Sequence, residues 1–190
     1  MTTKIHIKHM VSLRCKLMVK AALDEIGLHY DSVELGLVVV KGKISAEKFN
    51  NLKTVLLKCG LELVDDKKSI MIEKIKILVV EMVHYEEEFP RINFSEYIAK
   101  KLNYDYGYIS GLFSEVTGGT IENYIIAHKI ERVKELLLYD ELNLTQIAYK
   151  LNYSSVAHLS NQFKKSTGLT PSYFKKMKQH RKRIAHENLK

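Results

Sequence analysis

The strongest chemical signal in this chain of 190 residues is a surplus of cations near its end. Residues 142–190 hold 10 Lys or Arg against a single acid, a net of +9. Residues 1–66 net +2 and residues 67–141 net −3. So lopsided a field addresses a polyanion, either nucleic acid or an anionic membrane surface. The last ten residues, taken alone, read equally well as a solubilising tail. Nucleophile and metal chemistry is thinner. The only thiols are Cys15 and Cys59, too few for a disulfide framework and in keeping with a reducing compartment, so the cytoplasm is the expected location. Cys15 lies in Met10-Val11-Ser12-Leu13-Arg14-Cys15, where one thiolate alone is not a site. A soft metal there would need Met10, His9 or a second chain. Cys59 falls near a helix end and is expected to be buried.

Catalytic motifs are missing. The sequence has no GxxxxGK, GxGxxG, HExxH or paired CxxC, so no enzyme is expected. Thr117-Gly118-Gly119-Thr120 reads as a helix stop and not as a phosphate loop. No apolar run approaches the roughly 20 residues of a membrane helix, and Met1 to His6 has no apolar core of a signal peptide. No membrane partner is expected.

The elements that must position these residues fall into two unlike parts. In residues 1–66, Lys4 to His9 alternates as a half-buried strand. Leu13, Leu17, Ala21 (or Ala22) and Ile26 recur at helical spacing before Gly27. Tyr30 to Leu35 and Leu37 to Val40 read as strands around Gly36. Ser45 can cap a helix to Cys59 that Gly60 ends, and Leu61 to Val64 is a last strand. The order β-α-β-β-α-β is the split, ferredoxin-like pattern of an α+β domain. Asp65-Asp66-Lys67-Lys68 reads as a charged linker, and Ile70 to Glu87 as a long apolar-striped helix. Residues 70–190 form the second, all-α domain.

That second part repeats itself. Ile98-Ala99-Lys100-Lys101-Leu102-Asn103-Tyr104 returns 49 residues later as Ile147-Ala148-Tyr149-Lys150-Leu151-Asn152-Tyr153. Ile109-Ser110, Phe113 and Thr117-Gly118 return 50 residues later as Leu159-Ser160, Phe163 and Thr167-Gly168. These are two copies of one supersecondary unit, 93–118 and 143–168. Asn93 with Glu96, and Asn143 with Gln146, can cap the first helix of each copy. Asn103 and Asn152 sit where the chain must turn, and Asn tolerates left-handed backbone. Ile109, Leu112 and Phe113 in one copy, and Leu159 and Phe163 in the other, form the buried face of the second helix. This is the grammar of helix-turn-helix, whose second helix enters the DNA major groove. A plain helical bundle shares the core spacing, but the duplication and the basic surplus favour DNA. The helix 120–139 between the copies would span about 30 Å, close to the roughly 34–36 Å between successive major-groove faces.

Tyr108-Ile109-Ser110, Phe113, Thr117-Gly118, Tyr124-Ile125, Lys129-Ile130, Val133, Leu136-Leu137, Ile147-Ala148, Leu159-Ser160, Phe163-Lys164-Lys165, Gly168, Pro171 and Phe174 together resemble the AraC/XylS-type DNA-binding domain. The resemblance covers residues 72–180. It implies a double-stranded DNA partner, a transcriptional regulator, and recruitment or exclusion of RNA polymerase. By the same resemblance, base-facing positions fall at Gly107, Ser110 and Gly111 in the first unit and at Ala157, Ser160 and Asn161 in the second. Asn161 can read adenine bidentately, and the Ala157 methyl can meet a thymine methyl. Lys164 and Lys165, with Lys175 and Lys176 beyond, suit phosphates. Gly107, Ser110 and Gly111 offer almost no side chain, and Glu115 would repel phosphate. Tyr106 and Tyr108 could touch the DNA backbone, with core packing an equal alternative for Tyr108. His158, which matches Tyr108, is expected to pack. The family usually has Gly at Asn152 and basic residues near Ser114 and Glu115, where this chain departs from it.

The run Met10 to Cys15 resembles the metal loop of heavy-metal-associated domains, in which Met-x-Cys-x-x-Cys holds Cu(I). Ser12 replaces the first cysteine, so the front domain is expected to be a degenerate relative without a tight metal, serving a structural, dimerising or other liganded role. A homodimer is one such arrangement. The rival reading for the whole chain is a metal or small-ligand carrier or sensor whose helical part docks a protein partner.

Overall fold

The computed structural model describes residues 1–64, 66–86, 93–139 and 141–178. Packing divides the chain into two compact units. One is Met1–Val80 with Ile98–Gly118, and the other is Glu81–Tyr97 with the residues from Gly119 onward.

The first unit is built on a sheet of four strands, β1 (Thr2–Lys8), β2 (Tyr30–Glu34), β3 (Leu37–Lys41) and β4 (Glu62–Val64). Their order is β2-β3-β1-β4, and each neighbouring pair is antiparallel. Strand alternation turns Ile5 and Ile7 of β1 and Val38 and Val40 of β3 into the core, and leaves His6 on the opposite face. Helices α1 (Leu13–Glu25) and α2 (Ala46–Lys58) supply Val19, Ala22, Leu23, Leu52 and Leu56 to that core.

Two details correct the sequence reading. The buried stripe of α1 is not the one through Leu13 and Leu17, which are 63% and 65% exposed. The helix carries two apolar stripes, and the sheet takes the one through Val19, Ala22 and Leu23. Cys59 is exposed rather than buried. It caps α2 where the chain leaves the helix for Gly60, whose φ of +73° ends it. The Ser45 cap holds as expected, its side chain accepting from the Lys48 N–H.

Helix α3 (Lys67–Val80) starts three residues before Ile70, inside the charged stretch. The Asp66 carboxylate accepts the Ser69 N–H at 2.8 Å and so caps the start of α3. Asp65, and Glu87 at the far end of the expected helix, lie outside the described residues. Ile72, Ile75 and Val79 are buried, and the buried Glu73 is paired with Lys76 at 2.9 Å. The unit is completed by the C-terminal part of α4 (Phe94–Leu102) and by α5 (Tyr106–Thr117).

The second unit begins with a π-helical turn, Glu81–Tyr85. It packs on α6 (Ile121–Tyr139), a helix of 19 residues and so about 28 Å. Here His84 Nε2 lies 3.3 Å from His128 Nδ1, the rings edge to face. Burial comes first in pulling both imidazoles below their ordinary pKa. Helices α7 (Leu144–Lys150) and α8 (Val156–Thr167) follow, and residues 171–178 are again helical. Ile130, Val133, Leu137, Ile147, Leu151, Leu159, Phe163 and Phe174 form one cluster. Among the described residues, no helix is long and apolar enough to cross a membrane.

Candidate nucleic-acid interface

The two copies of the repeat fold alike at the positions that set their turns. Asn103 and Asn152 adopt left-handed backbone, with φ of +56° and +50°. Gly118 and Gly168 end their helices at φ of +72° and +76°. The Asn143–Gln146 capping box is complete, with both reciprocal bonds at 2.9 Å. Asp105 and Ser155 cap α5 and α8 by accepting the N–H of Tyr108 and of His158. The sequence reading had not singled out these two caps.

In α8 the buried side is Leu159 and Phe163, the latter edge-on to Phe174 at 5.5 Å. Truncating a ring held this way typically costs about 3–5 kcal/mol. The opposite face is thereby fixed outward. Ala157, Asn161 and Lys164 are exposed and Ser160 half-exposed, at positions i, i+4, i+7 and i+3 of one helical face. Lys165 and Lys176 are exposed as well, and Lys175 is half-buried. His158 does not enter the core. It is exposed, edge-on to Tyr153, with Nδ1 2.9 Å from the Ser154 hydroxyl. Small polar groups, an amide and ammonium heads on one convex face suit a groove edged with phosphate.

The corresponding face of α5 is almost bare. Gly107 and Gly111 are exposed, and the Ser110 hydroxyl donates to the Gly107 carbonyl at 3.2 Å. Glu115 is paired with Lys68 of α3 at 2.7 Å, within the first unit. Of the two settings open for Tyr108, it takes the exposed one. It is 56% exposed and stacked on Tyr104 with ring centroids 5.9 Å apart. Tyr104 is 49% exposed, whereas its repeat partner, Tyr153, is a core residue. The difference arises next to Lys129 of α6, which lies over the Tyr153 ring at 4.4 Å in the second unit. Burial brings the Lys129 ammonium down to a pKa of about 8 and pushes the Tyr153 phenol up to about 12.

The sulfur atoms of the front loop take different settings. Met10 is buried and its sulfur accepts the Gly36 N–H at 3.3 Å, so it is turned away from the soft-metal role considered for it. Ser12 Oγ and Cys15 Sγ are 3.5 Å apart. Burial raises the Cys15 pKa, but the Ser12 hydroxyl and neighbouring backbone bonds outweigh it, and the thiol sits below its ordinary value. Among the described residues, no group of three or more His, Cys, Asp or Glu is gathered so as to hold a metal ion.

Residues 98–177 match a protein family described as a helix-turn-helix domain. Those residues form a helix-turn-helix domain. An uncharacterized HTH-type transcriptional regulator of Bacillus subtilis, YtdP, is 27% identical over 53% of this chain and 13% of its own length. The Msm operon regulatory protein of Streptococcus mutans is 33% identical over 42% of this chain and 28% of its own. The chain thus spans less than a third of the length of either. The C-terminal domain of AraT, a response regulator from Geobacillus stearothermophilus, has the same fold with a TM-score of 0.50. It is 22% identical, and the match covers 59% of this chain and 88% of that one. The matched residues take in the turn asparagines of both copies of the repeat.

Proposed function

We propose that this chain is a sequence-specific transcriptional regulator that reads duplex DNA chiefly through α8. The observation that carries this is the outward face of α8, with Asn161 flanked by Ala157 and Ser160 and followed by Lys164 and Lys165. Asn161 pairs with the adenine edge, Ala157 meets a thymine methyl, and Ser160 adds a short donor or acceptor. Lys164, Lys165, Lys175 and Lys176 neutralise phosphates. Gly107, Ser110 and Gly111 of α5 let a second stretch of duplex approach closely while reading little of it. Each helix enters a major groove, and the length of α6 suits adjacent grooves. Bound in this way, the protein recruits or excludes RNA polymerase.

Residues 1–66 and 70–190 are the two domains of this reading. The front one is ferredoxin-like and a degenerate relative of heavy-metal-associated domains, a view supported by its strand order and its Ser12–Cys15 loop. It serves regulation or homodimer formation rather than tight metal binding.

Salt tests the reading. Neutralising several phosphates releases counterions, so affinity for a promoter fragment falls steeply between about 50 and 200 mM salt. A flat response would remove the phosphate contacts from the account.

A further inference from the structure

The first unit contains a groove that DNA binding does not use. It lies on the face of the sheet opposite the core, where α3 and the end of α4 cover the strands incompletely. Its volume is about 210 Å³, and Leu37, Ile77 and Leu102 give it apolar walls. Gly36 closes one end. A β-carbon there would stand 2.1 Å from Ile77 Cδ1 and push that side chain aside, and the φ of +71° itself favours glycine. The polar groups at the rim are mostly cationic. Lys74 and Lys101 line it beside the half-buried imidazole of His6. Glu34 lies on the same rim and is ion-paired with Lys16.

We propose that this groove binds a small organic monocarboxylate, its short apolar body against Ile77 and Leu37 and its carboxylate between Lys74, Lys101 and His6. The volume is below the roughly 300–1,000 Å³ of pockets for drug-sized ligands, which limits the body to a short alkyl chain or a single ring. Glu34 at the rim disfavours a dianion such as a phosphate monoester, since the added charge would meet a carboxylate. The surroundings of His6 suit an anion. Burial, then Lys74 and Lys4, hold its pKa below the ordinary value, against a raising backbone bond at Gly36. An anion placed there relieves the cationic field and restores the imidazolium.

One wall of the groove is the end of α4, the first helix of the first helix-turn-helix unit. A bound carboxylate would thereby report to the DNA-binding domain, a consequence that rests on the function proposed above. The binding itself does not, and it is measured on the full chain without DNA.

The probes are hexanoate, hexanamide and hexylammonium, matched in length and differing in charge. Hexanoate is expected to bind saturably at one site per chain and to raise the titration midpoint of the His6 ring, followed by NMR. Hexanamide should bind about tenfold more weakly or worse, because a charge-assisted contact is lost. Lys74→Gln, at an exposed position, should weaken hexanoate by a similar factor without lowering the melting temperature of the free protein. A second variant, Leu37→Lys, should abolish binding by placing a cationic chain in the apolar floor. No saturable hexanoate binding up to about 10 mM, equal binding of all three probes, or an unmoved His6 would each overturn the proposal.

Discussion

Lys68 at the start of α3 and Glu115 on α5 hold each other at 2.7 Å, so the acid on the exposed side of α5 is neutralised by a neighbouring helix. The pair is exposed on both sides, so its worth to folding is small. Its meaning lies in the division of labour between the two helix-turn-helix units. In the function proposed above, α5 would give a close, nearly featureless surface, and α8 would supply reading and grip.

It follows that Glu115→Lys should strengthen binding to every duplex alike. One new phosphate contact should steepen the dependence of log affinity on log salt by about one. Anisotropy titrations at several salt concentrations measure both quantities. An unchanged slope would mean that α5 does not face the phosphates.

Much of this arrangement was legible in the residues, and the failures have physical causes. The repeat, the helix-ending glycines and the turn asparagines were readable because each obeys a local backbone rule that no distant contact can overrule. Elements of the front domain were readable for the same reason. The inward stripe of α1 was not, because both of its stripes are apolar and only the sheet chooses between them. Met10 was legible as a sulfur ligand by type, but its bond to the Gly36 N–H depends on a neighbour 26 residues away. Equivalent positions in the repeat also misled. Tyr104 and Tyr153 match in sequence, yet one is exposed and the other buried beside Lys129.

The turn asparagines make a backbone prediction. Asn152 stands at φ +50°, where a residue with a β-carbon and no local hydrogen bonding pays about 1–2 kcal/mol. Asn152→Ala should therefore destabilise the protein by about that amount, whereas Asn152→Gly should be neutral or slightly stabilising. Chemical denaturation of the two variants decides. Equal losses would show that the asparagine side chain, not the backbone angle, is what matters.

Acid should loosen the π-helical turn from α6. His84 and His128 have folded pKa values below that of the unfolded chain, near 6.5. The unfolded state therefore binds protons first as pH drops. Stability from this pair is complete above pH 6.5 and is lost as pH falls through the lower folded values. Melting temperature should decline as pH falls below about 6.5, and His128→Gln should flatten that decline. Parallel curves for the two proteins would contradict the assignment.

The front loop invites repair. Ser12 Oγ and Cys15 Sγ already lie 3.5 Å apart, close to the separation of two thiolates on one tetrahedral zinc with bonds of about 2.3 Å. Ser12→Cys should raise zinc or Cu(I) affinity by orders of magnitude, while the unmodified protein gives up metal to a modest chelator. Competition titrations also report stoichiometry. One metal per two chains would signal a two-fold pair of Cys15 thiolates, and tight 1:1 binding by the unmodified chain would defeat the degenerate-domain reading.

The most direct test of α8 as the reading helix is selection of bound sequences from a randomised duplex library. Wild type, Asn161→Ala and Lys164→Ala are compared side by side. Asn161→Ala should lose about 1–3 kcal/mol on the preferred site and relax the preference at one base pair, expected to be an A·T pair. Lys164→Ala should weaken all sequences evenly and leave the selected motif intact. If the two variants change the motif in the same way, or if wild type selects no motif at all, α8 does not read DNA as described.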